Sequence, residues 1–389
     1  MVLTTVMTSI SYVSADLSDF TDDTNAAAGA HLLNSNDYMT RSWLQRAGIV
    51  TVAALSEPRS FYDYYQLVEI SISRSDYKMA HNQITACLDL ADTVSADVQA
   101  DIWLVKGSLE TLLDEKQTAL ASLAESIRLN PNKGNAYLVQ AQIYIEREQW
   151  RSAVDTLALY FDRSSSIDTL IYAAMGDLKM ILGEYHSAAV QYTSSMLKHD
   201  AADPDLYLRR GGCFAQMGAY EAATDDFIKA AELGAEANFC TENIVLCHLA
   251  MQDYNAVLRD GAALAAETQA SAEFLQNMGI AALALDLMDD AVHYFDRSIS
   301  LNDDLAASYY YRGISRLSLE QYEEASIDFS MSIRRGEILQ LSYYNRGVCY
   351  LNIEQYEEAQ TDMKQTILTG GDPFIEESAR AVLNQFTNP

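Results

Sequence analysis

A small residue recurs at a fixed interval through most of this chain. Consecutive members of the series are 34 residues apart at Gly211, Val245, Gly279, Gly313 and Gly347. The series continues upstream, at intervals of 34 or 35 residues, through Gly107, Ala141 and Gly176. A period of this size is typical of helix–turn–helix units that stack and contact only their neighbours. We therefore predict one all-helical array rather than two or three globular domains.

Other residue types keep the same phase as the small residue. Four positions before it most units have an aromatic residue: Trp103, Tyr137, Tyr172, Tyr207, Tyr309 and Tyr343. Nine positions after it most units have another: Trp150, Tyr185, Tyr220, Tyr254, Tyr322 and Tyr356. Twelve positions after it most units have alanine: Ala119, Ala153, Ala188, Ala223, Ala291, Ala325 and Ala359. Sixteen positions after it follows a large apolar residue: Leu123, Leu157, Tyr192, Phe227, Phe295, Phe329 and Met363.

These positions predict how the two helices of a unit pack. We expect alanine to let the second helix approach closely. We expect the aromatic residue of the first helix to fill a notch that glycine leaves on a neighbouring helix. One unit departs from the frame, because it has Val245, Val257 and Gly261 where the others have a small residue, alanine and a large residue.

The pattern resembles the tetratricopeptide repeat, whose signature is W-x2-L-G-x2-Y, then A-x3-F, then P. The resemblance implies an all-α solenoid, in which helix–turn–helix units form a right-handed superhelix. We count about nine units over residues 61–370, and residues 26–60 are predicted to be an N-terminal helical cap or a degenerate repeat. Residues 371–389 open with proline and acids and are predicted to be a C-terminal capping helix.

The net charge of −29 at pH 7 argues against nucleic acid or an anionic membrane as the partner, because both would be repelled. Part of the charge has a local cause: Glu323, Glu324, Glu357 and Glu358 fall in the first turn of predicted second helices, where the helix dipole favours acids. The remainder is either a solvated acidic surface or an attraction for a basic partner.

The sequence gives little support for catalysis or metal binding. The five cysteines include no CxxC pair, and the six histidines form no HExxH or i,i+4 arrangement. No phosphate-binding loop or nucleophile motif is present. We therefore expect a non-catalytic protein without metal or cofactor, in which the cysteines are buried, reduced thiols.

The N-terminus permits two interpretations. Val13-Ser14-Ala15 resembles the cleavage site of an export signal, yet no residue before Arg41 is basic. Residues 1–25 are therefore either a disordered acidic leader or the remnant of an export signal. We favour an exported or cell-envelope protein of bacterial type over a cytoplasmic one.

The resemblance implies that the first helices line a concave groove, with side chains two, five, nine and twelve places into each unit facing inward. The candidate partner-binding residues on this stripe are Leu208, Phe239, Glu242, Glu273, Gln276, Ile280, Tyr310, Ile314, Tyr344 and Val348. They are apolar and aromatic with an acidic fringe, which suits an apolar or amphipathic peptide with basic residues. The alternative is that this stripe packs against its own neighbours or is buried in a homodimer.

Three arginines recur one place before the small residue, at Arg210, Arg312 and Arg346. They could form a row of anion sites, but pairing with acids of the second helices is the better interpretation. Taken together, the sequence predicts a non-catalytic scaffold that binds a partner protein or peptide in its groove. The alternative is a structural component that self-associates through its repeat faces.

Overall fold

The computed structural model of the chain describes residues 61–163, 169–198, 202–267, 269–336 and 338–387. The predicted leader (1–25) and N-terminal cap (26–60) lie outside these ranges. The described residues are all-α, as predicted, with nineteen α-helices, one short 3-10 turn and no β-strand. They divide at Met217 and Gly218 into two compact units, which we describe separately.

Residues 61–217 form the N-terminal unit, in which consecutive helices pack together in chain order. Its helices are α1 (Phe61–Ser73), α2 (Tyr77–Leu88), α3 (Ala96–Leu112), α4 (Lys116–Leu129), α5 (Gly134–Glu146), α6 (Trp150–Arg163), α7 (Thr169–Ile181), α8 (Tyr185–Lys198) and α9 (Pro204–Gln216). The 3-10 turn, Ala91–Thr93, lies between α2 and α3.

Residues 218–387 form the C-terminal unit, and its consecutive helices also pack in chain order. They are α10 (Tyr220–Glu232), α11 (Ala237–Ala250), α12 (Tyr254–Ala266), α13 (Ala272–Ala284), α14 (Met288–Leu301), α15 (Ala306–Ser318), α16 (Tyr322–Arg335), α17 (Leu339–Asn352), α18 (Tyr356–Thr369) and α19 (Pro373–Thr387). The odd-numbered helices from α11 to α19 also contact one another in succession. We call the odd-numbered helices helix A of their repeats and the even-numbered ones helix B.

The repeat frame fixes where each helix B begins. From α4 to α18, every helix B starts nine residues after the small residue, at Lys116, Trp150, Tyr185, Tyr220, Tyr254, Met288, Tyr322 and Tyr356. Two residues earlier the backbone adopts the left-handed conformation, as at Asp286, Glu320 and Glu354, with φ of 65°, 60° and 61°. This residue reverses the chain between the two helices.

The predicted notch at the glycine is present, but the residue that fills it is not the predicted one. A Cβ atom added to Gly313 would lie 2.9 Å from Cε1 of Phe329, and one added to Gly279 would lie 2.6 Å from Cε1 of Phe295. The residue that fills the notch is therefore the large one sixteen places later, on helix B of the same repeat. The aromatic residue of helix A lies one turn before the glycine. It does not fill the notch, because helix B of the same repeat already covers this face of helix A.

The irregular repeat compensates for its own departure from the frame. Val245 on α11 stands where the other repeats have the small residue, and Gly261 on α12 stands where they have the large one. Both residues are buried. A Cβ atom at Gly261 would collide with the sulfur of Met278 on α13. The notch has therefore moved to helix B, where it receives a side chain from the following repeat. The frame alanines are fully buried, as predicted, for example Ala325 and Ala359.

Candidate functional site

We call Arg210, Arg312 and Arg346 the frame arginines; Arg312 and Arg346 pair with carboxylates, as the sequence predicted, whereas Arg210 donates to the hydroxyl of Thr193 at 3.1 Å. Arg346 of α17 donates from Nε and Nη2 to Asp362 of α18, at 2.7 and 2.8 Å, and from Nη1 to Ser330 of α16 at 2.9 Å. Arg312 of α15 repeats this arrangement one repeat earlier, with Asp328 of α16 and Asp296 of α14. Each guanidinium thus links its own helix A to two successive B helices.

Two of these carboxylates, Asp328 and Asp362, are buried, whereas Asp296 is exposed, and the buried pairs argue against the alternative of open anion sites. Asp328 is fully buried and also accepts from Arg316 at 2.8 Å. Burial raises the pKa of Asp328, while its bonds to Arg312 and Arg316 act in the opposite direction. Because the guanidinium groups already hold buried carboxylates, they cannot serve as a free anion-binding row.

A second buried polar network, which the sequence did not indicate, joins α2, α3 and α4 of the N-terminal unit. The Glu110 carboxylate on α3 accepts hydrogen bonds from Lys106 on the same helix and from Ser122 on α4, the latter at 2.6 Å. It also contacts Nε2 of His81 on α2, at 3.3 Å. Burial favours a raised pKa for Glu110, but these bonds lower the pKa below its usual value. A fully satisfied buried carboxylate of this kind serves packing.

The predicted partner-binding stripe is only partly accessible in the C-terminal unit. On α17 the side chains of Leu341, Tyr344, Val348 and Leu351 are all half-buried. Their spacing of i, i+3, i+7 and i+10 places them on one face of the helix. We call these four residues the α17 stripe. Ile314 on α15 is also half-buried and packs against the hydrophobic core.

Three residues of the predicted site, Tyr310, Ile280 and Gln276, have enclosed side chains. Tyr310 is 3% exposed, and its ring packs at 5.3 Å from Tyr311 and 5.9 Å from Phe329. Its hydroxyl receives a bond from Asn345 of α17 at 3.4 Å, and burial raises its pKa to about 12. Ile280 is also buried in this core. Neither side chain is exposed in this structure.

The third enclosed residue, Gln276, belongs to a polar chain between neighbouring helices. Its Oε1 accepts a hydrogen bond from Ser308 at 2.8 Å, and the Ser308 and Ser298 hydroxyls are 2.9 Å apart. Ser298 in turn donates to the carbonyl of Ala272. Here the alternative interpretation holds, since this part of the stripe packs against its own neighbours.

The remaining predicted residues lie at the margins. Phe239 and Glu242 are half-buried on α11, and Glu242 accepts from Ser271 at 3.0 Å. Glu273 is exposed in the first turn of α13. Leu208 is half-buried on α9, which belongs to the N-terminal unit. We therefore leave Leu208 out of the candidate surface, which lies in the C-terminal unit.

An acidic edge runs along the A–B turns of the last three repeats. Its nine exposed carboxylates are Asp286, Asp289, Asp290, Glu320, Glu323, Glu324, Glu354, Glu357 and Glu358. Among the described residues, none of the nine forms an ion pair. They recur at the same three places in each repeat, so the negative potential is continuous along this edge.

The described part of the chain offers no group of three or more His, Cys, Asp or Glu side chains arranged to hold a metal ion. The five cysteines are buried and unbridged, as predicted. Burial raises the pKa of Cys87, Cys213 and Cys349 to about 12, so these thiols stay protonated at neutral pH. Within the described ranges, every helix is too short or too polar to cross a bilayer.

Comparison with known proteins agrees with the repeat frame. A family model described as tetratricopeptide repeat matches residues 341–367, which fall in α17 and α18. The matched segment contains Gly347, Ala359 and Met363, which define the frame throughout the chain. The chain is a tetratricopeptide-repeat protein. Tetratricopeptide-repeat proteins act mostly as non-catalytic scaffolds for protein–protein interaction, and the partners that this fold implies are proteins.

Individual relatives are distant. The general transcriptional corepressor trfA of Dictyostelium discoideum is 24% identical over 135 residues, which covers 34% of this chain and 9% of that protein. This chain therefore spans about a tenth of the length of that curated relative. A tetratricopeptide repeat protein from Parabacteroides merdae shares 17% identity with a TM-score of 0.44, over 66% of this chain and 99% of that one.

Two further solved structures are similar to this chain at comparable distance. MamA from Desulfovibrio magneticus RS-1, residues 41 to the end, is 16% identical with a TM-score of 0.40, over 43% of this chain and 94% of that one. The P58(IPK) TPR domain is 15% identical with a TM-score of 0.29, over 85% of this chain and 99% of that one.

Proposed function

We propose that the C-terminal unit of this tetratricopeptide-repeat protein binds an amphipathic peptide segment of a partner protein through the α17 stripe. The observation that carries the proposal is the alignment of four half-buried, partly accessible apolar side chains, Leu341, Tyr344, Val348 and Leu351, on one helix face. Spaced apolar anchors of this kind suit the apolar face of a helix or an extended segment. Ile314 and Glu273 extend the surface toward α15 and α13.

Charge supports a basic partner. The acidic edge belongs to the same three repeats as the α17 stripe and its neighbour α15. Complementary charge accelerates association and discriminates against acidic competitors more than it adds to final affinity. The bound segment is therefore expected to combine apolar anchors with lysine or arginine.

A defined peptide tests the proposal. The probe is a fluorescent synthetic helix with leucine at i, i+4 and i+7 and lysine on its other face, titrated with the full chain. The control peptide replaces each lysine with glutamate. We expect the lysine peptide to bind with an affinity that falls as salt is added, and the glutamate peptide to bind far more weakly.

Variants of the chain locate the surface. Replacing Tyr344 and Val348 together with alanine is expected to weaken binding by about 2–4 kcal/mol, because central apolar anchors carry most interface energy. The matched control is Ile327→Ala, which removes an apolar side chain 62% exposed on α16. A correctly folded double variant that binds as tightly as the wild type would contradict the proposal.

Self-association remains a second candidate, because three large apolar side chains are exposed near helix ends, at Leu301, Leu368 and Phe374. Scattered exposed apolar residues are common on monomers, so this observation is weaker than the aligned stripe. Sedimentation velocity over a range of concentrations decides between them. A mass that stays monomeric contradicts self-association.

A further inference from the structure

The last described helix continues the repeat frame. Ala381 follows Gly347 by 34 residues, and Arg380 follows Arg346 by the same interval. Helix α19 packs against α18 and α17, as a helix A does, and buries Ala379 completely. It therefore occupies the place of helix A in a further repeat.

The face that a helix B covers in the preceding repeats is open on α19. In the repeat of α15 and α16, Tyr309 and Gly313 are buried, with Phe329 packed against Gly313. The equivalent residues Glu377 and Ala381 are exposed. Phe374, which corresponds to the buried Ala306 and Gln340, is 73% exposed. No helix among the described residues covers this face.

A charge on this face also lacks the counterpart that its equivalents have. Arg312 and Arg346 hold the buried carboxylates of Asp328 and Asp362 on their own B helices. Arg380 is exposed, and no ion pair within the described ranges involves it. A helix that covered α19 in the same way would bring a carboxylate to Arg380.

The B helices of the C-terminal unit show what such a helix must carry. Two of them share alanine, then aspartate three places later, a large apolar residue next, and a hydroxyl residue three places further. In α16 these are Ala325, Asp328, Phe329 and Ser332, and in α18 they are Ala359, Asp362, Met363 and Thr366. All eight side chains are buried against helix A or its neighbours. The pattern is A-x-x-D-[FM]-x-x-[ST].

A further contact favours α16 as the template. Its Arg335 lies over the ring of Tyr309, with the guanidinium carbon 4.9 Å from the centroid. The residue of α19 equivalent to Tyr309 is Glu377, which would attract that arginine. On the open face, Arg380 would therefore meet the aspartate of an α16-like helix, and Glu377 would meet its arginine.

We propose that the α19 face, formed by Phe374, Glu377, Arg380 and Ala381, binds a helix of the pattern A-x-x-D-[FM]-x-x-[ST] from a partner protein. The aspartate pairs with Arg380, and the large side chain lies on Ala381. Alanine leaves room for this, since Ala141 and Leu157 stand in the same relation and are both fully buried in one cluster. The B helices of a second copy are buried in their own repeats and do not supply this helix.

The test uses a labelled peptide with the sequence of residues 321–336, which contains α16, and the full chain. Fluorescence anisotropy is expected to show saturable binding. Arg380→Ala should weaken it roughly tenfold, as should Asp328→Asn in the peptide, and the two losses should not add when combined. The matched control is Arg334→Ala in the full chain, with the peptide unchanged. It removes another exposed arginine that has no ion pair among the described residues.

Filling the position of Ala381 gives a second, independent test. Ala381→Leu changes an exposed residue, so the variant is expected to fold, which circular dichroism checks, and to lose peptide binding. If this variant misfolds, the pairing of Arg380 with the peptide aspartate decides alone. Absence of saturable binding, equal binding by Arg380→Ala, or additive losses would overturn the proposal. Equal binding would mean that the peptide enters elsewhere, for example by displacing α16.

Discussion

At the scale of single residues, packing in this protein depends on a small residue facing a large one. The pair is Gly279 with Phe295 in one repeat and Gly313 with Phe329 in the next. In the irregular repeat the small residue is Gly261, and the large one is Met278 of the following helix. The repeats thus share a complementarity of side-chain volumes, and either helix A or helix B can supply the notch.

Glycine-to-alanine substitution tests this complementarity. Gly279→Ala would place a Cβ atom 2.6 Å from a fully buried ring, so we expect the free energy of unfolding to fall by about 1–3 kcal/mol. The control is Gly212→Ala, also within a helix, where a Cβ atom meets nothing within 4 Å. Alanine there should be neutral or stabilise by up to about 1 kcal/mol, because it favours helix. Urea denaturation compares them, and equal effects would argue against the notch.

At the scale of helices, the frame arginines connect elements that the apolar core joins less specifically. Arg346 of α17 reaches Asp362 on α18 and Ser330 on α16, so one side chain fixes the register of three helices. The aromatic rings of Tyr343 and Tyr350 flank the guanidinium at 5.5 and 5.7 Å, which adds cation–π contact. The arginine is therefore structural, although its charge first suggests a ligand site.

Removing Arg346 alone should lower the free energy of unfolding more than removing Arg346 and Asp362 together. Arg346→Met leaves the buried Asp362 without its counter-ion, so we expect a loss of about 3–5 kcal/mol in the free energy of unfolding. The double variant Arg346→Met with Asp362→Leu should recover most of this loss, because no charge remains buried. Denaturant unfolding of the single and double variants measures the coupling. Additive losses would show that the carboxylate does not depend on the arginine.

At the scale of the whole molecule, the contacts of each described helix are with its nearest neighbours in the chain. In the C-terminal unit no packing beyond the second neighbour contributes substantially to the described contacts. Stability is then expected to be a sum of repeat and interface contributions, so damage should stay local. Local stability of this kind lets one surface be altered for binding without loss of the rest.

Overpacking one repeat tests this locality. Ala325 is fully buried between α16 and its neighbours, so Ala325→Leu should cost about 1–3 kcal/mol through strain. Hydrogen exchange monitored by mass spectrometry is expected to show faster exchange in α15 to α18 and little change in α10 to α12. Uniformly faster exchange over residues 218–387 would contradict nearest-neighbour stability.

The periodic sequence by itself determined the helices and their relation. The positions nine, twelve and sixteen places after the small residue located the start of each helix B, the buried alanines and the large buried side chains. Arg312 and Arg346 were also correctly paired with helix B carboxylates. These features repeat with the backbone, because each depends on geometry within one repeat or between adjacent ones.

Only the tertiary structure decided which equivalent positions are accessible. Tyr310 and Tyr344 occupy the same place in the frame, yet Tyr310 is enclosed by Tyr311 and Phe329, while Tyr344 is half-buried. The next helix supplies Asn345 to the hydroxyl of Tyr310. Burial depends on what the neighbouring side chains happen to be, and these differ between repeats whose backbone is the same. The frame therefore defined the candidate stripe, and the side chains of adjacent helices decided how much of it a partner can reach.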